Sequence, residues 1–145
     1  MLILNPSQVR FGQTPWPGVT SVAISREAAR LVEAYGDGSP HARFVDAPEE
    51  RVEVEVRQSL DSASGDSPAN LAVGTEDDLA FERSWSGTDA GREAITVRAV
   101  VLADRIVLGE GGGRAPRAVR LVRLRAVSPD GADPVAIEPL DGGAA

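Results

Sequence analysis

The side chains that could do chemistry are few in this sequence, and they match no catalytic pattern. The chain has no cysteine and one histidine, His41, which excludes a cysteine nucleophile and a zinc site built on His or Cys ligands. A serine nucleophile would need that same histidine as its base. The candidate serine, Ser67 in Gly65-Asp66-Ser67-Pro68, lacks the G-x-S-x-G pattern of a nucleophile elbow. We therefore interpret Ser67 as a solvated turn residue and expect the chain not to be an enzyme.

Two further patterns could suggest a metal or a phosphate ligand. The neighbouring acids Glu49-Glu50 and Asp77-Asp78 could bind a hard cation, but no spacing matches a calcium loop, and 22 acids produce such neighbours by chance. The glycine-rich run 109–113 has no following Lys-Ser/Thr, so it is not a phosphate-binding loop. We expect no metal site and no cofactor.

Length and charge limit the class of protein. The chain of 145 residues suits one domain, its net charge is −7, and all 15 basic residues are arginine. An acidic chain is not expected to grip nucleic acid, because phosphate contacts need clustered cations. No stretch approaches the roughly 18 apolar residues of a membrane span, and Met1–Pro6 lacks the pattern of a secretory signal. These features predict a soluble protein made in a reducing compartment.

The elements that would position these residues are strands. Valines alternate with charges in Arg51–Arg57, and Val19–Ser25 and Leu79–Trp85 follow the same period of two. Ile95–Leu108 becomes apolar on both faces after Ala99, which predicts that its far end is covered on both sides. The pattern predicts a mainly β fold.

A fifth strand carries a basic stripe. In Val119–Val127 the apolar parity switches near Leu121, which predicts a β-bulge that places every arginine on one face. Such a stripe suits pairing with the acids of a neighbouring subunit. The stripe consists of Arg117, Arg120, Arg123 and Arg125.

The remaining segments set the domain limits. We expect one domain over residues 1–140, with a long exposed loop at 61–78 and a flexible tail at 141–145. Arg26–Tyr35 is ambiguous: its apolar residues have helical spacing, yet it could continue the preceding strand.

The segment Val19–Gln58 resembles a known family. A strand Val19–Arg26 precedes the aromatic-Gly-Asp turn within Ala34–His41, and the valine-rich strand Arg51–Gln58 follows. This order is similar to that of the major tail tube proteins of long, flexible-tailed phages and gene-transfer agents. The resemblance covers about 40 residues, and it favours strand for Arg26–Tyr35.

Membership would imply an antiparallel β-sandwich or barrel-like subunit with at most one or two short helices. Its copies would form stacked rings of six around a lumen through which double-stranded DNA passes without specific binding. The implied partners are tape-measure and tail-end proteins, and the implied location is the virion tail after synthesis in the host bacterial cytoplasm. The alternatives are a tail terminator or baseplate protein of the same fold, or a monomeric β-sandwich binding module whose loop recognises a sugar or a protein.

Two sets of residues follow from this interpretation. Glu53 and Glu55 are the candidates to face the lumen, where they would repel DNA. The competing arrangement pairs them with the arginine stripe across a subunit seam. The candidate subunit-interface residues are Arg117, Arg120, Arg123, Arg125, Asp66 and Ser67.

Overall fold

Nine strands and no helix make up the part of the chain that the computed structural model describes, which is residues 1–60, 70–84, 91–109 and 117–140. The strands are β1 (Leu2–Leu4), β2 (Ser7–Phe11), β3 (Thr14–Pro15), β4 (Val19–Tyr35), β5 (Ala42–Leu60), β6 (Glu76–Ser84), β7 (Arg92–Gly109), β8 (Arg117–Ala126) and β9 (Val135–Pro139). Every pairing between them is antiparallel. The predicted mainly β fold is therefore confirmed.

The strands form one sheet that rolls up on itself. Its order is β1-β4-β5-β8-β7-β6-β2-β3, and β9 pairs with β7 beside this path. Although β1 and β6 are far apart in the order, Nη1 of Arg83 on β6 lies 3.2 Å from the sulfur of Met1, which precedes β1. Distant parts of the sheet thus meet around one interior, which gives the subunit a barrel-like form.

Alternate residues of these strands fill the interior. Val52, Val54 and Val56 of β5 are buried, whereas the charged residues between them face outward. The buried apolar residues of the described part form a single cluster. Its members on the neighbouring strands include Val22, Ile24, Leu79, Phe81, Ile95, Val97, Val101, Val122 and Leu124. Period-two alternation therefore predicted the core side of the main strands correctly.

The long strand β7 pairs with three other strands. Its first half pairs with β6 on one edge and β9 on the other, and from Ala99 onward it pairs with β8. A register shift between Val101 and Ala103 marks a bulge. The far end is not covered on both sides as predicted, since Ile106 is 38% exposed and Leu108 is 76% exposed in the single chain.

The bulge predicted near Leu121 and Val122 is absent from β8. The ladder between β5 and β8 runs without a shift from Arg125 to Ala118. The parity changes for a different reason: Arg120 faces the interior with Val122, while Leu121 faces outward.

β4 and β5 continue beyond the sheet as a two-stranded hairpin. The ladder between β5 and β8 begins at Glu53. Among the described residues, the part of β4 after Arg26 and the part of β5 before Val52 pair only with each other. We call residues 27–50 the arm; all of them are exposed except the half-buried Gly36. At about 3.3 Å per residue the arm extends about 30 Å. Arg26–Tyr35 is thus strand, as the resemblance implied.

Some of the predicted segments lie partly or wholly outside the described residues. β6 begins at Glu76, so the predicted loop 61–78 includes the start of a strand. Residues 61–69, Trp85 and the tail 141–145 lie outside the described residues.

The buried face of β5 can be tested directly. Val54 is 1% exposed, so Val54→Asp should lower the free energy of unfolding by several kcal/mol, because an unpaired carboxylate would be buried. The control is Glu55→Gln, an exposed neighbour that should change stability by less than about 0.5 kcal/mol. Chemical denaturation measures both, and equal stabilities would contradict the assigned face.

Candidate assembly surfaces

Arg120 is a core residue and not a surface one. Its side chain is 2% exposed and that of Asp104 is 0% exposed. Nε donates to Oδ1 of Asp104 at 3.0 Å, and Nη2 donates to Oδ2 at 2.7 Å, which gives a bidentate pair. Nη1 donates to Oε1 of Gln58 at 3.2 Å, and the guanidinium carbon lies 4.8 Å from the centroid of Trp16. The structure therefore corrects the placement of Arg120 at a subunit interface.

This polar cluster connects segments that are distant in sequence. Nε2 of Gln58 donates to the carbonyl oxygen of Pro17 at 2.8 Å, and the backbone N–H of Leu71 donates to Oδ2 of Asp104 at 2.8 Å. Burial by itself would raise the pKa of Asp104, but the hydrogen bonds from Arg120 and Leu71 outweigh it and hold that pKa below its usual value. The ion pair thus fixes the turn before β4 and the segment before β6 against the sheet.

Glu53 lies on the outer face, away from the core, and is paired within its own chain. Its Oε1 accepts a hydrogen bond from Nη2 of Arg125 at 2.9 Å, and its Oε2 lies 3.6 Å from Nη2 of Arg123. The hydrogen bond from Arg125 is the largest cause that holds the pKa of Glu53 below its usual value. Glu53 side-chain exposure is 24%. Acids and arginines proposed to meet across a seam thus already meet on adjacent strands.

The outer face carries further charges that have no ion-pair partner among the described residues. Glu55 is exposed, as are Arg57 on β5 and Arg105 on β7. Arg57 and Arg105 both lie opposite Leu121 of β8, so the three side chains form one cross-strand row. From Glu53 to Arg57, the outer face of β5, β8 and β7 holds four arginines and two glutamates. This face is therefore locally basic, although the chain as a whole is acidic.

Three of the predicted interface residues lie partly or wholly outside the described residues. The backbone of Arg117 pairs with Gly109 at the start of β8, but its side chain lies outside the described part of the structure. Asp66 and Ser67 lie in the undescribed segment 61–69.

The arm presents large apolar side chains to solvent. Leu31, Tyr35, Phe44 and Val45 are each between 55% and 58% exposed. The arm also holds six acids and two arginines, which makes it strongly acidic. A two-stranded hairpin on its own is marginally stable in water, so the arm needs another surface to order it fully.

The base of the arm is held by an ionic cluster. Nη1 of Arg26 donates to Oε1 of Glu50 at 2.7 Å, and Nη2 donates to Asp133 at 3.0 and 3.1 Å. The backbone N–H of Val135 and then Arg26 hold the pKa of Asp133 below its usual value. These residues line a cleft of about 400 Å³ between the arm and the β8–β9 connection. Sequence reasoning did not identify Arg26 in this role.

The described residues show no arrangement suited to metal chemistry. Among them, no group of three or more His, Asp or Glu side chains is placed to hold a metal ion. His41, at the end of the arm's turn, is exposed. No helix in the described part of the chain is long and apolar enough to cross a membrane.

Comparison with known proteins gives a similarity at the level of the fold. No family model and no curated protein matches the chain. A chain in the solved sheath–tube complex of PVC, an extracellular contractile injection system in its extended state, is similar with a TM-score of 0.52 and 16% sequence identity. The match covers 91% of this chain and 87% of that chain. The chain has a tail-tube-like fold.

That similarity agrees with the sequence resemblance at the level of the fold. It covers 91% of the chain, well beyond the roughly 40 residues that carried the sequence resemblance. The similar structure comes from a contractile injection system, whereas the sequence pointed to long, flexible tails. The sequence resemblance and the structural similarity therefore agree on the fold, and they differ on the kind of particle.

The buried ion pair predicts a specific stability pattern. Asp104→Asn should cost about 3–5 kcal/mol, because it leaves a buried guanidinium without its counter-ion. Arg123→Gln, on the exposed side of the same sheet, should cost less than about 1 kcal/mol. The double variant Asp104→Leu with Arg120→Met should recover most of the loss, because buried ion pairs are often replaceable by apolar residues.

The same pair predicts how stability depends on pH. Because the folded pKa of Asp104 is lowered, its contribution is present above the ordinary carboxyl value of about 3.9 and is lost as the pH falls through the lower folded value. Urea titrations across this range should show a shallower acid loss for Asp104→Asn than for the wild type. Parallel acid profiles would show that Asp104 does not carry this linkage.

Proposed function

We propose that the chain is a structural subunit that assembles with copies of itself into the tube of a tail or injection device. The observation that carries this proposal is the arm, a long hairpin whose apolar side chains find no cover in their own chain. The tail-tube-like fold supports the same function, because the similar chain comes from a sheath–tube complex.

A second exposed apolar surface lies at the opposite end of the same strand. β5 begins near the tip of the arm and ends beside the β7–β8 end, where Val107 and Leu108 are exposed. The 19 residues of β5 span about 60 Å at about 3.3 Å per residue. Two different adhesive surfaces at opposite ends of a subunit favour head-to-tail association, which closes rings or extends filaments. A monomeric binding module would have no use for both.

The finer features of the proposal come from the resemblance. The rings would hold six copies and stack into a conduit, with tape-measure and tail-end proteins at its interior and its ends. Six copies of a chain with net charge −7 give about −42 per ring, which favours a conduit that does not retain DNA. In this proposal the particle is a phage-like tail, and double-stranded DNA passes through it.

Shortening the arm tests the proposal. In the short-arm variant, Asn-Gly replaces residues 29–49 and joins the cross-strand partners Ala28 and Glu50 through a two-residue hairpin turn. It should remain a folded monomer because the arm adds nothing to the core cluster, and it should lose the ability to assemble. Light scattering after size exclusion and negative-stain microscopy measure assembly, and thermal denaturation verifies the fold.

A second variant, which removes only the outer part of the arm, is compared with the short-arm variant. Replacing only residues 33–45 with Asn-Gly joins Val32 to Asp46, which are also cross-strand partners, and keeps the proximal half of the arm. Because it removes most of the exposed apolar side chains of the arm, it should assemble no better than the short-arm variant. Tubes formed by the short-arm variant at the wild-type concentration would contradict the proposal.

A further inference from the structure

The outer face of the sheet near the β7–β8 end combines arginine and aliphatic side chains, which suits binding of an acidic and apolar segment. Arg57 and Arg105 flank Leu121, with about 10 Å between the outer strands of the row at the usual strand spacing. The next row toward the β7–β8 end is Ser59, Val119 and Val107, which adds apolar area. Cations here surround a patch of branched aliphatic side chains.

Arg57 and Arg105 differ from most other arginines of the sheet. The half-buried arginines Arg98 and Arg51, for comparison, each bind acids on an adjacent strand. Arg57 and Arg105 are exposed and make no ion pair with any described residue. Arginine carries a planar set of donors that suits carboxylates, so two such side chains in one row can bind an acidic segment.

The distal half of the arm, residues 31–46, carries the complementary groups. Glu33, Asp37 and Asp46 are exposed and have no ion-pair partner among the described residues, while Arg43 is the only arginine in this half. The other acids of the arm are paired at its base, as with Glu27 and Arg51. Exposed Leu31, Tyr35, Phe44 and Val45 accompany the distal acids. The distal arm is therefore an acidic and apolar strip.

We propose that the distal arm of one copy lies on the arginine row of a second copy, where its carboxylates pair with Arg57 and Arg105. This inference rests on the proposed function and identifies the two surfaces that meet. The arm cannot reach the row of its own chain, because β5 leads from the arm in one direction and to the row in the other. The contact is therefore between copies and head-to-tail.

The charge balance favours this surface as a seam over its use as a DNA-facing wall. Glu53 is neutralised by Arg125 and Arg123, which leaves Glu55 beside two unpaired arginines. A lumen lined by this face would attract phosphates, whereas an acidic arm laid over it would neutralise it. In this assignment Glu55 lies at the border of the seam, and the lumen-facing position of Glu53 and Glu55 becomes the competing outcome of the test.

Charge reversal on each surface tests the contact. The row variant is Arg57→Glu with Arg105→Glu, and the arm variant is Asp37→Arg with Asp46→Arg. Each should raise the protein concentration needed for assembly by about tenfold or more, because like charges would face each other. All four positions are exposed, so both variants should keep the thermal transition of the wild type. The control is Arg10→Glu, an exposed position on β2, and it should assemble like the wild type. It is matched with the single variant Arg105→Glu, which makes the same change of charge.

Mixing the two variants gives the decisive result. At the concentration at which the wild type assembles, neither the arm-reversed nor the row-reversed chain should assemble alone. A mixture of the two should assemble, because each reversed arm can then lie on a reversed row. Failure of the mixture, or normal assembly of the row variant, would overturn the inference. Normal assembly would also return this face to the lumen and leave the proposed function intact. A wild-type chain that stays monomeric at every concentration would overturn the proposed function itself, and the inference with it.

Discussion

A guanidinium group can leave water only when its donors find acceptors, and this constraint organises the subunit around Arg120. Two of its nitrogens bind Asp104, a third binds Gln58, and its face covers Trp16. These partners come from β5, β7 and the turn before β4, so the cluster links these segments around the interior in the observed register. A shift of β8 by one residue would expose the arginine, but it would also bury its outward-facing neighbours.

The same constraint explains where sequence reasoning succeeded and where it failed. Alternation identified the buried valines of β5 because each of them faces a core and each neighbour is charged. It failed at β8 because it assumed that an arginine must face outward, and a bulge was then needed to align Arg120 with Arg123 and Arg125. The available signal was Asp104, the one acid in the apolar run 99–108, although its parity matches that of the buried residues only after the bulge between Val101 and Ala103. A charge in such a position predicts a buried partner.

The arm was ambiguous in the sequence for a related physical reason. Period-two alternation arises where one face of a strand is buried and the other is wet, but both faces of the arm are exposed in the single chain. Without that signal, the spacing of Leu31, Val32 and Tyr35 favoured a helix as readily as a strand. The strand is imposed by β5, which pairs with β4 along its whole length. Pro48 interrupts that ladder where the register shifts, so its missing N–H costs little.

The distribution of apolar residues links this architecture to assembly. The core takes residues from the first half of β4 and from inner positions of β5 and β7, while the second half of β4, the start of β5 and the end of β7 carry apolar side chains that no described residue covers. A strand that runs from the core into a surface transmits position rigidly, because its hydrogen-bonded ladder is continuous. The cluster of Arg26, Glu50 and Asp133 fixes the direction in which the arm leaves the sheet. The Arg120 cluster fixes the far ends of β5, β7 and β8, where the arginine row lies. Two ionic clusters thus hold the two proposed contact surfaces at a set angle and separation, and repeated association through such surfaces would need that constancy to give a regular assembly.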